Sequence, residues 1–543
     1  MFGLMQDHEL LISSLLDHAE RYHPKTEIVS RTCEGDIVRT DYATLGQRVR
    51  KLAEALRELG VKQGDIVATM AWNTHRHLEL YFAVSGMGAI LHTVNPRLYH
   101  EQINYIMNHA EGSVLLFDIS FSQIVGQLRG SFPKVRHFIA MTDEAHMPTD
   151  AGEVLCYETL LEQMPGEFVW PKLDERTASS LCYTSGTTGN PKGVLYSHRS
   201  SILHSFLVCQ ADGFGLSAQD STLLVVPLFH VNAWGVPYAA AMSGAKLVLP
   251  GPNLDGKSLF ELAVAEKCTM TLGVPTVWLG LLQYIESTPG LSVSDLPFNR
   301  LYIGGSAAPR ALIQKLERGG VRAIHAWGMT ETSPVAAVCN FLPHHYDLEE
   351  EARLDIQVKQ GRAVFGVEWR IKDEDGNVLP HDGQVSGNLY VRGPWIASGY
   401  FKMDSAESLD EEGWFPTGDV AKIDPEGYVQ LTDRSKDVIK SGGEWISSIE
   451  LENAAVGHPD VQEAAVIGVA HPKWQERPLL IVVRKPGTDP KPEDIIAYLA
   501  ERVVKWWLPD DVIFVDEIPH TATGKLHKQK LREQFRDYVL PTS

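Results

Sequence analysis

Apolar residues recur along the chain in two alternating patterns, short continuous runs and longer stretches at helical spacing. Helical spacing from Leu45 to Leu59 predicts a helix, with Asp41 at its start and Gly60 at its end. Strand-like runs, each followed by a helical pattern, lie at 65–71 (helix over 77–90), 113–117, 246–250, 270–274 and 300–303. This alternation is typical of an α/β protein with largely parallel sheets.

The pattern changes near residue 362, where short β-like runs stand between glycines and aspartates. They predict a small β-rich subdomain and lie at 368–371, 387–391 and 428–431. A charged segment with two glycines, residues 433–445, predicts a linker. Beyond it, strand-like runs and helical patterns predict a second, small α+β domain; they lie at 464–469, 479–483, 492–504 and 528–535.

Composition narrows the class of protein. The 543 residues exceed what one core can hold, so two or more domains are expected. The formal net charge of −20 argues against nucleic acid or an anionic membrane as the main partner. No apolar run is long enough to cross a membrane, and the acidic N-terminal stretch is typical of a surface helix rather than a signal peptide. Six scattered cysteines without metal-binding spacing predict reduced thiols in a cytoplasmic protein.

The densest cluster of chemistry-bearing residues lies at 183–193, Tyr-Thr-Ser-Gly-Thr-Thr-Gly-Asn-Pro-Lys-Gly, between two strand-like runs. Glycines let the backbone approach a ligand and turn its N–H groups inward, and the hydroxyls add donors. Lys192 adds a positive charge, so the segment suits a polyphosphate. It is not a Walker loop, because Pro191 precedes the lysine and a second strand-like run follows before any helix. A flexible surface loop is the alternative for such a composition.

Further motifs lie downstream in the chain. In order, they are Trp327-Gly-Met-Thr-Glu-Thr332, Gly413-Trp-Phe-Pro-Thr-Gly-Asp419, Asp433-Arg-Ser-Lys-Asp437 and Thr523-Gly-Lys525. Together with the glycine-rich loop they resemble the signature motifs of the adenylate-forming superfamily, which includes acyl-CoA synthetases, peptide-synthetase adenylation domains and beetle luciferases. The resemblance extends from about residue 30 to residue 535.

The resemblance implies an α/β fold with two domains. A large N-terminal region, residues 1–434, would contain two α/β sheets plus a small β subdomain. A small mobile α+β domain, residues 435–543, would follow a hinge near Lys436.

The resemblance also places ATP against the glycine-rich loop and the later motifs. The implied nucleotide-binding residues are Thr184, Ser185, Gly186, Thr187, Thr188, Gly189, Lys192, Trp327, Gly328, Thr330, Asp419, Arg434 and Lys525. Thr330 would donate to the α-phosphate, and Glu331 would hold Mg²⁺, a hard cation that prefers oxygen ligands. Asp419 would accept from the ribose hydroxyls. Taken singly, Thr330 and Glu331 also fit a helix start, and Asp419 fits a turn.

Lys525 has the most demanding of the implied roles. Adenylation builds negative charge while a carboxylate attacks the α-phosphorus, and a lysine between the two anions stabilises that charge. By analogy with the family, the C-terminal domain rotates about Lys436 and carries Lys525 into and out of the site. The implied catalytic residues are Lys525, Thr330, Glu331 and Lys436.

The rotation would bring a second segment toward the acyl carbon, where the thiol of CoA attacks. Its residues are Lys440, Gly442, Gly443, Glu444 and Trp445. Two adjacent glycines would let the backbone lie beside the thin pantetheine arm, although a simple tight turn fits them as well. Basic residues are candidates for the phosphates of CoA or for ordinary surface positions; these are Lys440, Lys473, Arg477, Lys528 and Lys530.

The acyl pocket implied by family position contains no fixed charge, so the tail of the acid should be uncharged and apolar. Its residues are His230, Val231, Trp234, Gly304, Gly305, Trp327, Met329 and Pro334. His230 fits a carboxylate-orienting residue and a core histidine equally well. Trp327 stands where many relatives carry tyrosine, so it should narrow the tunnel. A thioether tail would pack favourably against Trp234 and Trp327.

Within the superfamily, the chain resembles the ligases of medium- and long-chain fatty acids and, among them, those of 3-(methylthio)propionate. This resemblance implies an AMP-forming acyl-CoA ligase whose substrate is 3-(methylthio)propionate or another short- or medium-chain acid. The alternatives are a medium- or long-chain fatty acid ligase and a non-catalytic acyl-adenylate sensor, which should lack Lys525, Glu331 or Asp419. The implied partners are a carboxylic acid, ATP, CoA and a second copy in a homodimer, with Mg²⁺ as cofactor and no nucleic acid.

Overall fold

The computed structural model of the chain describes residues 1, 3–184, 190–404, 408–442, 444–521 and 525–542. Its helices are α1 (Ile12–Tyr22), α2 (Tyr42–Glu58), α3 (His75–Gly86), α4 (His100–Ala110), α5 (Ser122–Leu128), α6 (Tyr157–Glu162), α7 (His198–Cys209), α8 (Val236–Ser243), α9 (Gly256–Ala265), α10 (Pro275–Ser287), α11 (Arg310–Arg318), α12 (Glu350–Gln357), α13 (Ser448–Val456), α14 (Pro492–Ala500) and α15 (Lys528–Gln534).

The strands form three sheets. They are β1 (Glu27–Arg31), β2 (Ile37–Asp41), β3 (Ile66–Met70), β4 (Ile90–Thr93), β5 (Val114–Phe117), β6 (His137–Ala140), β7 (Leu155–Cys156), β8 (Ala178–Tyr183), β9 (Gly193–Ser197), β10 (Ser221–Leu224), β11 (Lys246–Leu249), β12 (Met270–Gly273), β13 (Arg300–Ile303), β14 (Arg322–Gly328), β15 (Val335–Val338), β16 (Gly361–Ala363), β17 (Glu368–Lys372), β18 (Gly387–Arg392), β19 (Phe415–Ile423), β20 (Tyr428–Arg434), β21 (Ile439–Ser441), β22 (Glu444–Ile446), β23 (Val461–His471), β24 (Gln475–Arg484) and β25 (Asp511–Val515).

A seven-stranded sheet has the order β7-β6-β5-β3-β4-β8-β9. Its strands are parallel except for the last pair, since β9 runs antiparallel to β8. The glycine-rich segment connects these two strands, and Tyr183 is in register with Gly193. The two ends of the loop therefore meet at the edge of the sheet.

A thirteen-stranded sheet has the order β17-β18-β19-β20-β16-β15-β14-β13-β12-β10-β11-β1-β2. The strands from β1 to β14 along this order are parallel, and those from β14 to β17 are antiparallel. Strand β14 belongs to both parts. The predicted β-rich subdomain is thus a continuation of an α/β sheet, which places its strands β19 and β20 beside the ends of the parallel strands.

The C-terminal part of the chain builds a five-stranded sheet of its own, β22-β21-β24-β23 with β25 paired to β24. Helices α13 and α15 contact β23. The segment 433–445, predicted as a linker, contains β21 and the start of β22, which pair as a hairpin. That part of the prediction is wrong, because three residue pairs of a short hairpin carry too few apolar positions to show a strand pattern.

The largest group of buried apolar side chains is continuous between the two larger sheets and the helices that cover them. The small sheet has a separate apolar cluster on each face. This arrangement confirms the predicted mixed α/β architecture with a small C-terminal unit. Among the described residues, no helix combines the length and the apolar character needed to cross a membrane.

The helix predicted from Leu45 to Leu59 is confirmed as α2, and Asp41 caps it by accepting the Thr44 N–H over 2.8 Å. The helix predicted over 77–90 is wrong at its end. Helix α3 ends at Gly86, and Ile90 already begins β4. Both elements are fully buried, so one unbroken apolar run conceals the boundary between them.

Candidate active site

The predicted motifs converge on one cavity of about 980 Å³. Strands β12, β13 and β14 are parallel neighbours, so the residues at their carboxyl ends share one edge of the sheet. Pro275, Gly304 and Gly328 lie there and line the cavity. Strands β19 and β20 supply a second wall, and the C-terminal part of the chain supplies a third through Lys525.

Lys525 enters the cavity between these walls. Its segment is tied at both ends, because the Thr521 N–H donates to the Lys525 carbonyl over 2.7 Å and the Lys525 N–H donates to the Thr521 hydroxyl over 3.2 Å. Burial, and next the Arg434 guanidinium, lower the pKa of Lys525 to about 8, while Asp419 and Glu331 act in the opposite direction. Among the charged residues that line the cavity, one cation and two carboxylates therefore act on the Lys525 ammonium.

Asp419 is held by its cross-strand neighbour. It lies in β19 opposite Arg434 in β20, and the Arg434 Nε stands 2.9 Å from the Asp419 Oδ1. The side chain is buried, and its second oxygen, Oδ2, has no hydrogen-bond partner among the residues that the structure describes. Burial raises the pKa of Asp419, against the attraction of Arg434 and Lys525. A buried acceptor with a free oxygen beside a cavity fits a ligand that donates hydroxyl hydrogens.

Thr330 and Glu331 lie in a short turn after β14, and both are buried at the cavity wall. The Tyr196 hydroxyl donates to the Thr330 carbonyl over 2.6 Å. The Tyr400 hydroxyl donates to the Glu331 Oε1 over 2.7 Å. Burial raises the pKa of Glu331, while the hydrogen bond from Tyr400 lowers it. A single carboxylate with one oxygen already fixed is suited to bind a divalent cation together with phosphate oxygens.

The glycine-rich loop is described only at its ends. The Thr184 N–H donates to the Lys192 carbonyl over 2.9 Å, and the Lys192 N–H donates to the Thr184 hydroxyl over 3.1 Å. Lys192 is exposed, with its ammonium 4.7 Å from the centre of the Tyr400 ring. The remaining predicted phosphate-binding residues lie outside the described part of the chain; they are Ser185, Gly186, Thr187, Thr188 and Gly189.

The apolar side of the cavity is built on an unusual turn. Four consecutive residues from Val231 to Trp234 have φ between 47° and 56°, and Gly235 follows at 75°. L-residues avoid this left-handed region, so neighbouring structure must hold the turn in place. It directs Trp234 against Gly304, where an added Cβ would stand 2.7 Å from the indole Cη2. The two residues thus pack against each other in the cavity wall.

Other predicted acyl-pocket residues line the same cavity: His230, Val231, Gly305, Trp327, Met329 and Pro334. Burial and then Lys525 lower the pKa of His230 to about 3, so its imidazole is neutral. Within the described part of the chain, the ring of His230 makes no hydrogen bond. A neutral imidazole without a partner can donate to a carboxylate, and this observation favours the carboxylate-orienting alternative.

Comparison with known proteins agrees with this geometry. The AMP-binding enzyme model matches residues 15–401, and the model of the AMP-binding enzyme C-terminal domain matches residues 450–525. The chain belongs to the AMP-binding enzyme family. The 3-methylmercaptopropionyl-CoA ligase of Ruegeria lacuscaerulensis is 49% identical over 541 residues, which are 99% of each chain. The medium-chain-fatty-acid–CoA ligase of Ectopseudomonas oleovorans is 48% identical, over 100% of this chain and 99% of the relative.

A solved structure of the same architecture is that of an anthranilate CoA ligase in complex with anthranoyl-AMP. It superposes with a TM-score of 0.85 at 25% identity, over 96% of this chain and 97% of that chain. The family membership confirms the resemblance that the ordered motifs indicate.

The residues predicted for CoA lie away from the cavity in this arrangement. The Lys440 ammonium is 3.1 Å from Glu374, and Gly442, at φ 62°, lies against the Trp474 ring. Gly443 is outside the described residues, and Glu444 lies in the same hairpin as Trp445. None of the described residues of this hairpin lines the cavity, so Lys525 is inside while this segment is outside.

Two of the basic residues considered for the CoA phosphates or for ordinary surface positions are buried and paired in this arrangement. Arg477 is buried with its Nε 2.7 Å from Asp510, and Lys528 is buried with its ammonium 2.8 Å from Glu452. Each already has an internal counter-ion, so neither is a surface residue that awaits a phosphate.

The sequence reasoning also missed residues at the site. Tyr400 and Tyr196 contact the Thr330–Glu331 turn through their hydroxyls, and Leu279 of α10 lines the cavity. No spacing marks the two tyrosines, because their contacts span more than 60 residues of chain. The position of α10 is predictable in principle, because this helix follows the carboxyl end of β12. Residues that follow neighbouring parallel strands lie at one crevice.

Proposed function

We propose that the protein joins a short- or medium-chain carboxylic acid to CoA at the expense of ATP. The reaction class, an AMP-forming acid–thiol ligation, follows from the family and from its relatives of nearly equal length. The observation that carries the proposal for this site is the position of Lys525. Its ammonium lies in one cavity with Asp419 and Glu331 on the nucleotide side and with His230 and Gly305 on the acyl side.

In the first half-reaction, an oxygen of the acid attacks the α-phosphorus of ATP, and pyrophosphate leaves with the bonding electron pair. Lys525 holds the two anions together and stabilises the charge on the transferring group. Asp419 accepts hydrogen bonds from the ribose through its unpartnered oxygen, while Arg434 keeps that carboxylate in place. His230 donates to the carboxylate of the acid. The product is an acyl-adenylate.

A divalent cation fits the donor set of this site. Glu331 supplies a carboxylate at the cavity wall, next to the end of the phosphate loop, and carboxylate and phosphate oxygens are the ligands that Mg²⁺ prefers. When bound, Mg²⁺ would neutralise charge on the phosphates. Thr330 in the same turn would donate to the α-phosphate.

In the second half-reaction, the sulfur of CoA attacks the acyl carbon, AMP leaves, and the thiol proton passes to solvent. Lys525 occupies the space near the acyl side, whereas the Lys440–Trp445 hairpin lies outside the cavity. We therefore infer that the C-terminal domain turns about Lys436 between the two steps, withdrawing Lys525 and presenting the hairpin. The present arrangement supports the adenylation step.

The acid is inferred from the end wall of the cavity. Trp234 packs against Gly304, and Trp327 is 7% exposed beside them, so two indoles limit the depth of the apolar side. A short thioether tail packs favourably between aromatic rings. We infer 3-(methylthio)propionate as the preferred acid, with overlapping activity on short fatty acids, since one methylene changes binding by only about 1–3 kcal/mol. A medium-chain acid is the second candidate, favoured by the relative named for it.

The test is release of AMP with ATP, Mg²⁺ and CoA across a panel of acids. The panel contains 3-(methylthio)propionate, butyrate, hexanoate, octanoate, palmitate and 4-coumarate. We expect a maximum at 3-(methylthio)propionate or butyrate. A maximum at octanoate or palmitate would retain the reaction and reject the short-acid assignment, and CoA-dependent AMP release with none of them would reject the function.

Two further parts of the proposal concern the whole protein. All six cysteines are free, which supports a location in the reducing cytoplasm. A homodimer is inferred from the family resemblance alone, and light scattering coupled to gel filtration distinguishes a mass near twice 60.3 kDa from the monomer.

A further inference from the structure

A segment after β18, residues 395–401, connects two parts of the site that meet the phosphates. We call it the bridging segment. The Ala397 N–H donates to the Glu331 carbonyl over 2.7 Å. The Phe401 N–H donates to the Gly193 carbonyl over 2.8 Å, at the far end of the glycine-rich loop. The bridging segment therefore fixes the distance between the Glu331 turn and this loop.

Tyr400 in the bridging segment contacts both parts through its side chain. Its hydroxyl donates to the Glu331 Oε1 over 2.7 Å, and the Lys192 ammonium lies 4.7 Å from the centre of its ring. The ring thus stands between a carboxylate and a cation, a position in which the hydroxyl orients one and the π face attracts the other.

Glu331 depends on this contact for its orientation. Its side chain is 6% exposed, and within the described residues Tyr400 is its hydrogen-bond partner, while no ion pair forms. A carboxylate that could otherwise rotate has one oxygen fixed by the tyrosine, and the second oxygen remains available to a ligand in the cavity that Glu331 lines. Burial raises the pKa of Glu331, and the hydrogen bond from Tyr400 opposes that rise.

We propose that Tyr400 is the positioning residue for the magnesium–ATP complex. It fixes the Glu331 carboxylate as an oxygen ligand for the divalent cation and keeps Lys192 at the adjoining end of the phosphate loop. This inference rests on the proposed function, because it assumes that ATP with a divalent cation occupies the cavity.

Tyr400→Phe tests the proposal, since it removes one hydroxyl and keeps the ring. ATP binding is measured by calorimetry without acid or CoA, first in EDTA and then over a series of Mg²⁺ concentrations. In EDTA, we expect the variant to bind ATP with the affinity of the wild type. The Mg²⁺ concentration at which the Mg²⁺-dependent gain in ATP affinity is half complete should be about tenfold higher than in the wild type. Thioester formation from supplied acyl-adenylate, which does not use these phosphates, should keep its wild-type rate.

Tyr42→Phe is the matched control, because its hydroxyl also makes one buried bond, to the Ala245 carbonyl over 2.8 Å, and neither residue lines the cavity. It should leave the Mg²⁺ dependence unchanged. An unchanged Mg²⁺ dependence in Tyr400→Phe would overturn the proposal, as would an equal loss of ATP binding in EDTA and of thioester formation, which indicates a purely structural role. A wild-type protein that binds no ATP would reject the proposed function instead.

Discussion

The role proposed for Lys525 requires a positive charge, yet the pKa of this lysine is lowered. Burial and Arg434 lower its pKa to about 8, so the charge proposed to act in the adenylation step is partly lost near that pH. A lysine is protonated below its pKa, and its charge therefore disappears as the pH rises through about 8. The burial that places Lys525 in the cavity lowers its pKa, and the lowered pKa makes its proposed function sensitive to alkaline pH.

We expect acid-dependent pyrophosphate–ATP exchange to fall as the pH rises above about 8, because Lys525 becomes neutral. Lys525→Arg should be slower at neutral pH, since a guanidinium does not reproduce the geometry, yet lose this alkaline decline because it stays charged. The measurement is kcat/KM of the exchange from pH 6.5 to 9.5. Identical alkaline declines in both proteins would assign the titration to another group.

Lys525→Ala separates the two half-reactions at the same position. It should lose most of the exchange activity and still convert supplied acyl-adenylate to thioester, because the side chain acts only while the phosphates are present. Rates of both half-reactions, measured separately, decide the matter. An equal loss of the two would contradict the role given to Lys525.

Trp327 tests the depth of the acyl pocket. Trp327→Ala removes a large ring from the cavity wall, so the preference in the acid panel should shift toward longer chains. The chain-length profile of kcat/KM is the measurement. A profile identical to that of the wild type would remove Trp327 from the end wall.

At the scale of elements, the left-handed turn that ends at Gly235 is the most constrained part of the site. Gly235 has φ 75°, and an added Cβ would stand 2.5 Å from the His204 Nδ1. The other nitrogen of that ring accepts the Val335 N–H over 3.1 Å. The turn, helix α7 and strand β15 are therefore locked together behind the acyl pocket.

Gly235→Ala should lower the free energy of unfolding by about 2–4 kcal/mol, from the left-handed backbone and the contact with His204 together. Gly320→Ala is the matched control, since its φ is 86° and nothing lies within 4 Å of the added Cβ. It should cost only about 1–2 kcal/mol. Denaturant unfolding of both variants measures the difference, and equal losses would show that His204 moves aside freely.

Sequence patterns predict some elements of this site well and others not at all. Lys525 and Asp419 lie within ordered motifs, and the parallel strands carry strong apolar runs. The sequence therefore predicts these residues and these strands. The turn from Val231 to Trp234 is not predictable in this way, because Asn232 is the one residue in it that readily adopts a left-handed backbone, and a single asparagine does not mark a run of four such residues. Tyr400 was hidden for another reason, since its partner lies 69 residues earlier in the chain.

At the scale of the whole molecule, one set of contacts next to the predicted hinge joins the large sheet to the small C-terminal unit that carries Lys525. Asp433, in the last strand of the large sheet, accepts from the N–H of Ser448 over 2.8 Å and from its hydroxyl over 2.6 Å. Ser448 begins α13 of the small unit, and its hydroxyl also accepts from Lys528, three residues beyond Lys525. The carboxylate thus joins the two sides of the predicted hinge.

Asp433→Asn should weaken this junction and reduce pyrophosphate–ATP exchange about tenfold, while thioester formation from supplied acyl-adenylate is preserved. Asp437→Asn is the matched control, because its ion pair with Arg532 at 2.6 Å lies entirely after the hinge. It should not change the ratio of the two half-reactions. The same ratio in Asp433→Asn as in the wild type would mean that the junction does not select the adenylation arrangement.

The unpartnered oxygen of Asp419 has a consequence for how long the protein survives. A buried acceptor without a donor costs about 1–3 kcal/mol, and a bound nucleotide that donates a hydroxyl removes this cost. Bound nucleotide should therefore raise the free energy of unfolding. The increase grows with the logarithm of the ratio of the nucleotide concentration to its dissociation constant. When cellular ATP falls, the empty enzyme becomes the form most exposed to proteases, so its abundance would follow the energy supply of the cell without any dedicated regulator.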